Sequence, residues 1–104
     1  EMGMGTDVHG VNYTVAAERA VFDAIHHSSL HFFKHLSKSA NDMVIDLMVA
    51  VPKPKEVDEE RLIRSLPYGA VNLLLSEGGL EIPGDDEDDA IVIANAGVIV
   101  RLND

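Results

Sequence analysis

The first ten residues, Glu1-Met2-Gly3-Met4-Gly5-Thr6-Asp7-Val8-His9-Gly10, hold the pattern most able to do chemistry. Asp7 and His9 are two apart. Along an extended backbone alternate side chains point the same way, so a carboxylate and an imidazole converge on one face. Such a pair can hold a divalent metal ion or share a proton. Gly3, Gly5 and Gly10 let the backbone turn sharply or come close to a ligand. Polar side chains elsewhere, Asn95, Glu77 or Asp46, are candidates to complete a pocket. A plainer reading competes with this one: Asp7 caps the turn that follows, and His9 bonds locally. A second histidine pattern lies at His27, His31 and His35, spaced i, i+4 and i+8 on a helix. Pairs with that spacing can chelate zinc. Its plainer reading is a polar helix face with Leu30 and Phe33 turned inward.

These residues have to be placed by a small scaffold. The chain has 104 residues, enough for one domain with a core but not for two. Hydrophobic residues make up 46% and charged residues 25%, an ordinary globular balance. There are no cysteines, which excludes a disulfide framework, a thiolate zinc site and a cysteine nucleophile. The net charge of −10 repels phosphate backbones, so nucleic acid is not an expected partner. Much of that charge sits in the run Asp85 to Asp89, which reads as a solvated loop. No apolar run approaches the ~20 residues of a membrane span, and no signal peptide is visible. A cytoplasmic protein with no membrane partner is expected.

The elements follow from periodicity. Residues 1–9 read as a strand. A helix starts near Thr14, whose hydroxyl can cap it. Ala17, Ala20, Val21, Ala24, Ile25 and Ser28 form one face of small residues able to pack close to a sheet. Val15 and Phe22 lie on a second face that needs separate cover. Residues 29–39 extend this helix or form a short second one. Residues 42–51 read as a buried strand, apolar on both faces except for Asp46. After the stiff turn Pro52-Lys53-Pro54, Asp58 fits an N-cap, with Val57 and Leu62 as a hydrophobic staple. Strands follow at 71–76 and 89–102, with a bulge or bend at Gly78-Gly79 before Leu80-Glu81-Ile82. Asn95 and Gly97 interrupt the last strand. The fold class expected is α+β, a single domain over 1–104 in the order β-α-β-α-β-β. Its sheet is mixed and four-stranded, with helices on one face and the last two strands close enough for a hairpin.

That inventory contains a mismatch. Two strands are apolar on both faces, yet the helices are few and short. A sheet of this kind needs cover on both sides, and another copy of the chain supplies it most simply. A homo-oligomer is therefore expected.

The motif Gly3-Met4-Gly5-Thr6-Asp7-Val8-His9-Gly10 resembles the defining motif of a family of conserved hypothetical proteins of about 100 residues. The likeness continues through Ala17-x-x-Ala20-Val21-x-x-Ala24-Ile25, Ser29-Leu30 and Val51-Pro52. It resumes at Leu66-Pro67-Tyr68-Gly69, Glu77-Gly78-Gly79-Leu80 and Ala94-Asn95-Ala96. This family carries no established activity. A more distant likeness is to methylerythritol cyclodiphosphate synthase, which opens on a strand with Gly-x-Gly-x-Asp-x-His. It implies Asp7 and His9 as ligands of a divalent metal. The synthase's third ligand, from a His-Ser-Asp-Gly-Asp type segment, has no counterpart here, and neither do its nucleotide-binding segments. Its activity is not implied. Its fold resembles the Bacillus chorismate mutase-like α+β trimers, so the resemblance implies a trimer.

Two functional readings stay open. One is an enzyme or metal-dependent small-molecule site at a subunit boundary, with Asp7, His9, Glu77 and Asn95 as candidate catalytic residues. The other is a non-catalytic oligomeric module that binds or senses a metabolite through the same pocket.

Overall fold

The computed structural model describes residues 2–8, 11–27, 43–66, 70–85 and 89–102. Among these residues five strands form one mixed sheet: β1 (Met2–Asp7), β2 (Met43–Val51), β3 (Ala70–Glu77), β4 (Leu80–Ile82) and β5 (Ile91–Leu102). Among the described residues two helices accompany them, α1 (Tyr13–His27) and α2 (Glu59–Arg64), with a 3-10 turn at Pro54–Glu56. The spatial order is β1-β5-β2-β3. The long strand β5 is antiparallel to both β1 and β2, whereas β3 runs parallel to β2. The expected class, with helices on one face of a mixed sheet, is what the chain adopts. His9, Gly10, His31, His35, the whole helical stretch expected at 29–39, and the middle of the acidic run lie outside the described residues.

Four expected strands become five, and the cause is local. Gly78 donates its N–H to the carbonyl of Val51 at 2.9 Å, closing off the end of β2. Gly79 then takes a φ of +67°, a conformation that side chains rarely adopt. This bend carries the chain from the outer edge of β3 across the end of β2. Leu80–Ile82 there pair antiparallel with Ile91–Ile93 of β5. The hairpin expected of the last strands therefore belongs to β4 and β5, not to β3. The expected interruption of the last strand also fails. Asn95 and Gly97 lie inside a continuous β5, because a strand tolerates both where one face is open.

The core lies between α1, α2 and the sheet. Ala16, Ala17, Ala20, Val21 and Ala24 of α1 are buried against Ile45, Leu47 and Val49 of β2 and Val92, Ala94, Ala96 and Val98 of β5. Their spacing of three and four residues is one helical stripe, as read from the sequence. Small residues on the helix meet Gly3 and Gly5 on the strand. A Cβ on either glycine would fall on the backbone of α1, near Ala20 and Ala24 for Gly3 and near Ala16, Arg19 and Ala20 for Gly5. These two glycines are therefore required by helix–strand contact. Burying a side chain such as Leu62 or Leu47 contributes about 1.5–3 kcal/mol each, and both are fully buried.

The helix starts differ in part from expectation. Asn12, not Thr14, caps α1: its Oδ1 accepts the Val15 N–H at 3.0 Å. The Thr14 hydroxyl instead accepts the Asp58 N–H at 2.9 Å, tying the start of α1 to the start of α2. Asp58 caps α2 as expected, accepting the Arg61 N–H at 3.1 Å. Val57 and Leu62 are both buried, as the staple requires. Glu18 and Arg61 join the two helices by an ion pair of 2.6 Å.

Helix α1 also protects the free edge of β1. Asp23 accepts the Met4 N–H at 2.9 Å, and Arg19 donates to the Thr6 carbonyl at 2.6 Å. The two side chains are four apart, one helical turn, so they meet alternate residues of the strand. Backbone groups that would otherwise recruit another strand are thereby occupied.

Candidate functional site

The turn from β1 to α1 is organised by Asp7. Its side chain lies on the helix-covered face and is buried. Oδ2 accepts the Asn12 N–H at 2.8 Å, and Oδ1 stands 3.6 Å from Arg19 Nη1. The carboxylate thus caps the turn that follows it, which was the plainer of the two readings. Between them, Val11 has a φ of +48°. A β-branched residue avoids that region, and such strain costs of order 1–3 kcal/mol. The Asp7–Asn12 bond, the Asn12 cap and the packing of Val11 on the core hold it there.

A second polar group lies in the same row of the sheet. Asp7 pairs with Val92, and Val92 pairs with Glu81 of β4. Two strand spacings separate the two acids, about 10 Å. The Tyr13 hydroxyl, on the first residue of α1, donates to Glu81 Oε1. Burial, helped by the hydrogen bond and the charge of Glu81, pushes the Tyr13 phenol up from 10.0 to about 12. Lys53 Nζ stands 5.9 Å from the centre of the Tyr13 ring, a cation over its face. Sequence reasoning missed Tyr13 and Glu81. The available signal was the alternation in Leu80-Glu81-Ile82, which turns Glu81 away from its two apolar neighbours and toward the helices.

The other expected site residues do not converge on Asp7. Asn95 is exposed, paired with Met4 and Ala50, on the opposite face of the sheet. Glu77 is exposed at the end of β3, the far side of the sheet from β1. Asp46 also faces away from the helices, and it is not a lone carboxylate. Arg101 grips it with Nε at 2.9 Å and Nη2 at 3.1 Å, and Asn72 donates to it at 3.2 Å. The Arg101 hydrogen bond first, then that of Asn72, holds its carboxyl below the usual aspartate value. Gly3 and Gly5 approach α1 closely. Gly10 and His9 lie outside the described residues, as does the histidine series beyond His27. Among the described residues, no three His, Cys, Asp or Glu side chains come together to hold a metal. None of the described helices is long and apolar enough to cross a membrane.

The profile of the conserved hypothetical protein family Lin0512 matches residues 1–100, and the chain belongs to that family. A solved structure shares the fold with a TM-score of 0.85. It is described as an FtsZ-like protein of unknown function from Nostoc punctiforme PCC 73102. That protein is 38% identical, over 100% of this chain and 93% of its own. Among curated proteins, none matches this chain.

Proposed function

We propose that the chain is a subunit of a closed homo-oligomer, a trimer by the chorismate mutase-like resemblance. Each subunit boundary would carry a small-molecule site around the Asp7/His9 motif. The observation that carries this reading is the position of β1. It presents Met2 and Met4 to the uncovered face of the sheet and ends a few residues later at Asp7. Whatever covers that face therefore borders the end of β1, while the Asp7 carboxylate itself points to the helix side. Asp7 is already fixed by Asn12 and flanked by Arg19, so it serves as a positioned acceptor with a donor beside it. A small polar ligand carrying both a donor and an acceptor group matches this pair. A divalent ion would need His9 as a further ligand. It would also need Arg19, whose side chain is 57% exposed, to swing away from Oδ1, because two cations at one oxygen repel. The polar ligand is thus the better match, whether it is turned over or only bound.

The test is a crystal structure of untagged protein, soaked with Mn2+ and separately with a mixture of small polar metabolites. Density bonded to Asp7 and bounded by two subunits is the expected result. A turn that takes up nothing in either soak, or a ligand enclosed within one chain, contradicts the proposal.

A further inference from the structure

The face of the sheet away from the helices has its own design. Alternation along the strands brings Met2 and Met4 of β1, Met48 of β2, Leu74 of β3 and Ile99 of β5 to this face. All five are exposed, Leu74 at 63% and Ile99 at 51%, and no described element covers them. In a row beside them lie Ile99, Asp46 and Asn72, with Arg101 reaching across to Asp46. Among the described strand positions of this face, Asp46 and Arg101 carry the only charges, and these cancel. The chain as a whole carries −10. Its excess of acid therefore lies elsewhere, and two such faces can approach without the repulsion that two such molecules otherwise feel.

We infer that this sheet face is the surface through which copies of the chain associate. The inference rests on the oligomeric reading above and assigns it a surface. Four strands about 4.8 Å apart and about eight residues long at ~3.3 Å each give a footprint of roughly 500 Å² per copy. Two copies together bury roughly 1,000 Å², the lower bound for a specific interface, and a closed trimer roughly 1,500 Å² in all. The composition is self-complementary. Asp46 and Arg101 already neutralise each other within each copy, so apolar side chains meet apolar ones with no unpaired charge between the faces. Edge pairing through β1 is opposed by Asp23 and Arg19, which occupy its Met4 N–H and Thr6 carbonyl.

Size-exclusion chromatography with light scattering on Ile99→Glu and Leu74→Lys tests the surface. Both positions are exposed in the single chain, so each variant should keep its far-UV circular dichroism. Each should associate at least ~100-fold more weakly, because a charge would be buried without a partner. Phe22→Glu, on the outer face of α1, is the control and should keep the wild-type mass. Leu74→Lys decides the matter if Ile99→Glu does not fold. An assembly that persists in the folded variants overturns the inference and leaves the oligomer standing, built on another surface such as the edge of β3. A monomeric wild type overturns both.

Discussion

Replacing Gly5 by alanine should damage this protein far more than replacing Gly97, although both are strand glycines. The added carbon at Gly5 would lie 2.6 Å from the Arg19 carbonyl carbon and closer still to the Ala16 oxygen and the Ala20 nitrogen. Ordinary contact begins at 3.4 Å, so α1 would have to retreat by about 1 Å over its buried stripe. These are backbone atoms of a helix, and no side chain can rotate away. Overpacking costs about 1–3 kcal/mol, and the rigid neighbour places Gly5→Ala at the upper end, about 3 kcal/mol. For a domain of this size that lowers Tm by roughly 10–20 °C. At Gly97 the new carbon would meet only the Met48 methyl, at 3.5 Å. Gly97→Ala should therefore be neutral or stabilising by up to about 1 kcal/mol, through the unfolded chain. Thermal unfolding followed by circular dichroism compares the two. A Gly5→Ala protein that melts within about 2 °C of wild type would refute the close helix–strand contact, and with it the explanation of the first two glycines of the motif.

Further outcomes follow from the two ends of the sheet. Asp7→Ala strips the Asn12 N–H of its acceptor beside the strained Val11 and should cost about 1–3 kcal/mol in urea unfolding. Asp7→Asn keeps an acceptor oxygen and should cost less, so equal losses would contradict the capping role. Tyr13→Phe should cost about 1 kcal/mol at neutral pH through the lost bond to Glu81. The folded phenol is raised to about 12 from 10.0, so its contribution is complete below pH 10 and fades as pH rises toward 12. The gap between wild type and variant should narrow over that window, and a constant gap would count against the bond. Asp46 has the opposite sign. Its folded carboxyl is lowered by Arg101, so its contribution is present above the ordinary value of 3.8 and is lost as pH falls through the lower folded one. Asp46→Asn should flatten the acid limb of the stability curve, and an unchanged limb would show that the pair is too well solvated to matter.

Much of the fold was legible because it rests on period and punctuation. The alanine stripe of α1, the two-sided apolar run of β2 and the Asp58 cap are local patterns, and local physics decides them. The apolar second face was legible for the same reason, since alternation alone assigns Met48 and Ile99 to the side opposite the buried stripe. The strand count was not, because nothing in Leu80-Glu81-Ile82 tells whether the chain continues β3 or crosses the end of β2. That depends on the bond from Gly78 to Val51 and on the backbone of Gly79. The candidate site was half legible. Spacing put Asp7 and His9 on one face, but the partners chosen for Asp7, Asn95 and Glu77, lie on the other face and at the far edge. Their positions are set by register between strands distant in sequence, which no single stretch contains. Gly3 and Gly5 were recognised as sites of close approach, but the object approached is the α1 backbone.

Sedimentation equilibrium of the wild-type protein at micromolar concentration measures directly whether copies of the chain complete one another. A single closed species of about 34 kDa, three times the 11.3 kDa chain, is expected. A closed species of another multiple would retain the assembly and correct its number. A mass of 11.3 kDa that holds as concentration rises would contradict the account, because the apolar face would then stand in water without a partner.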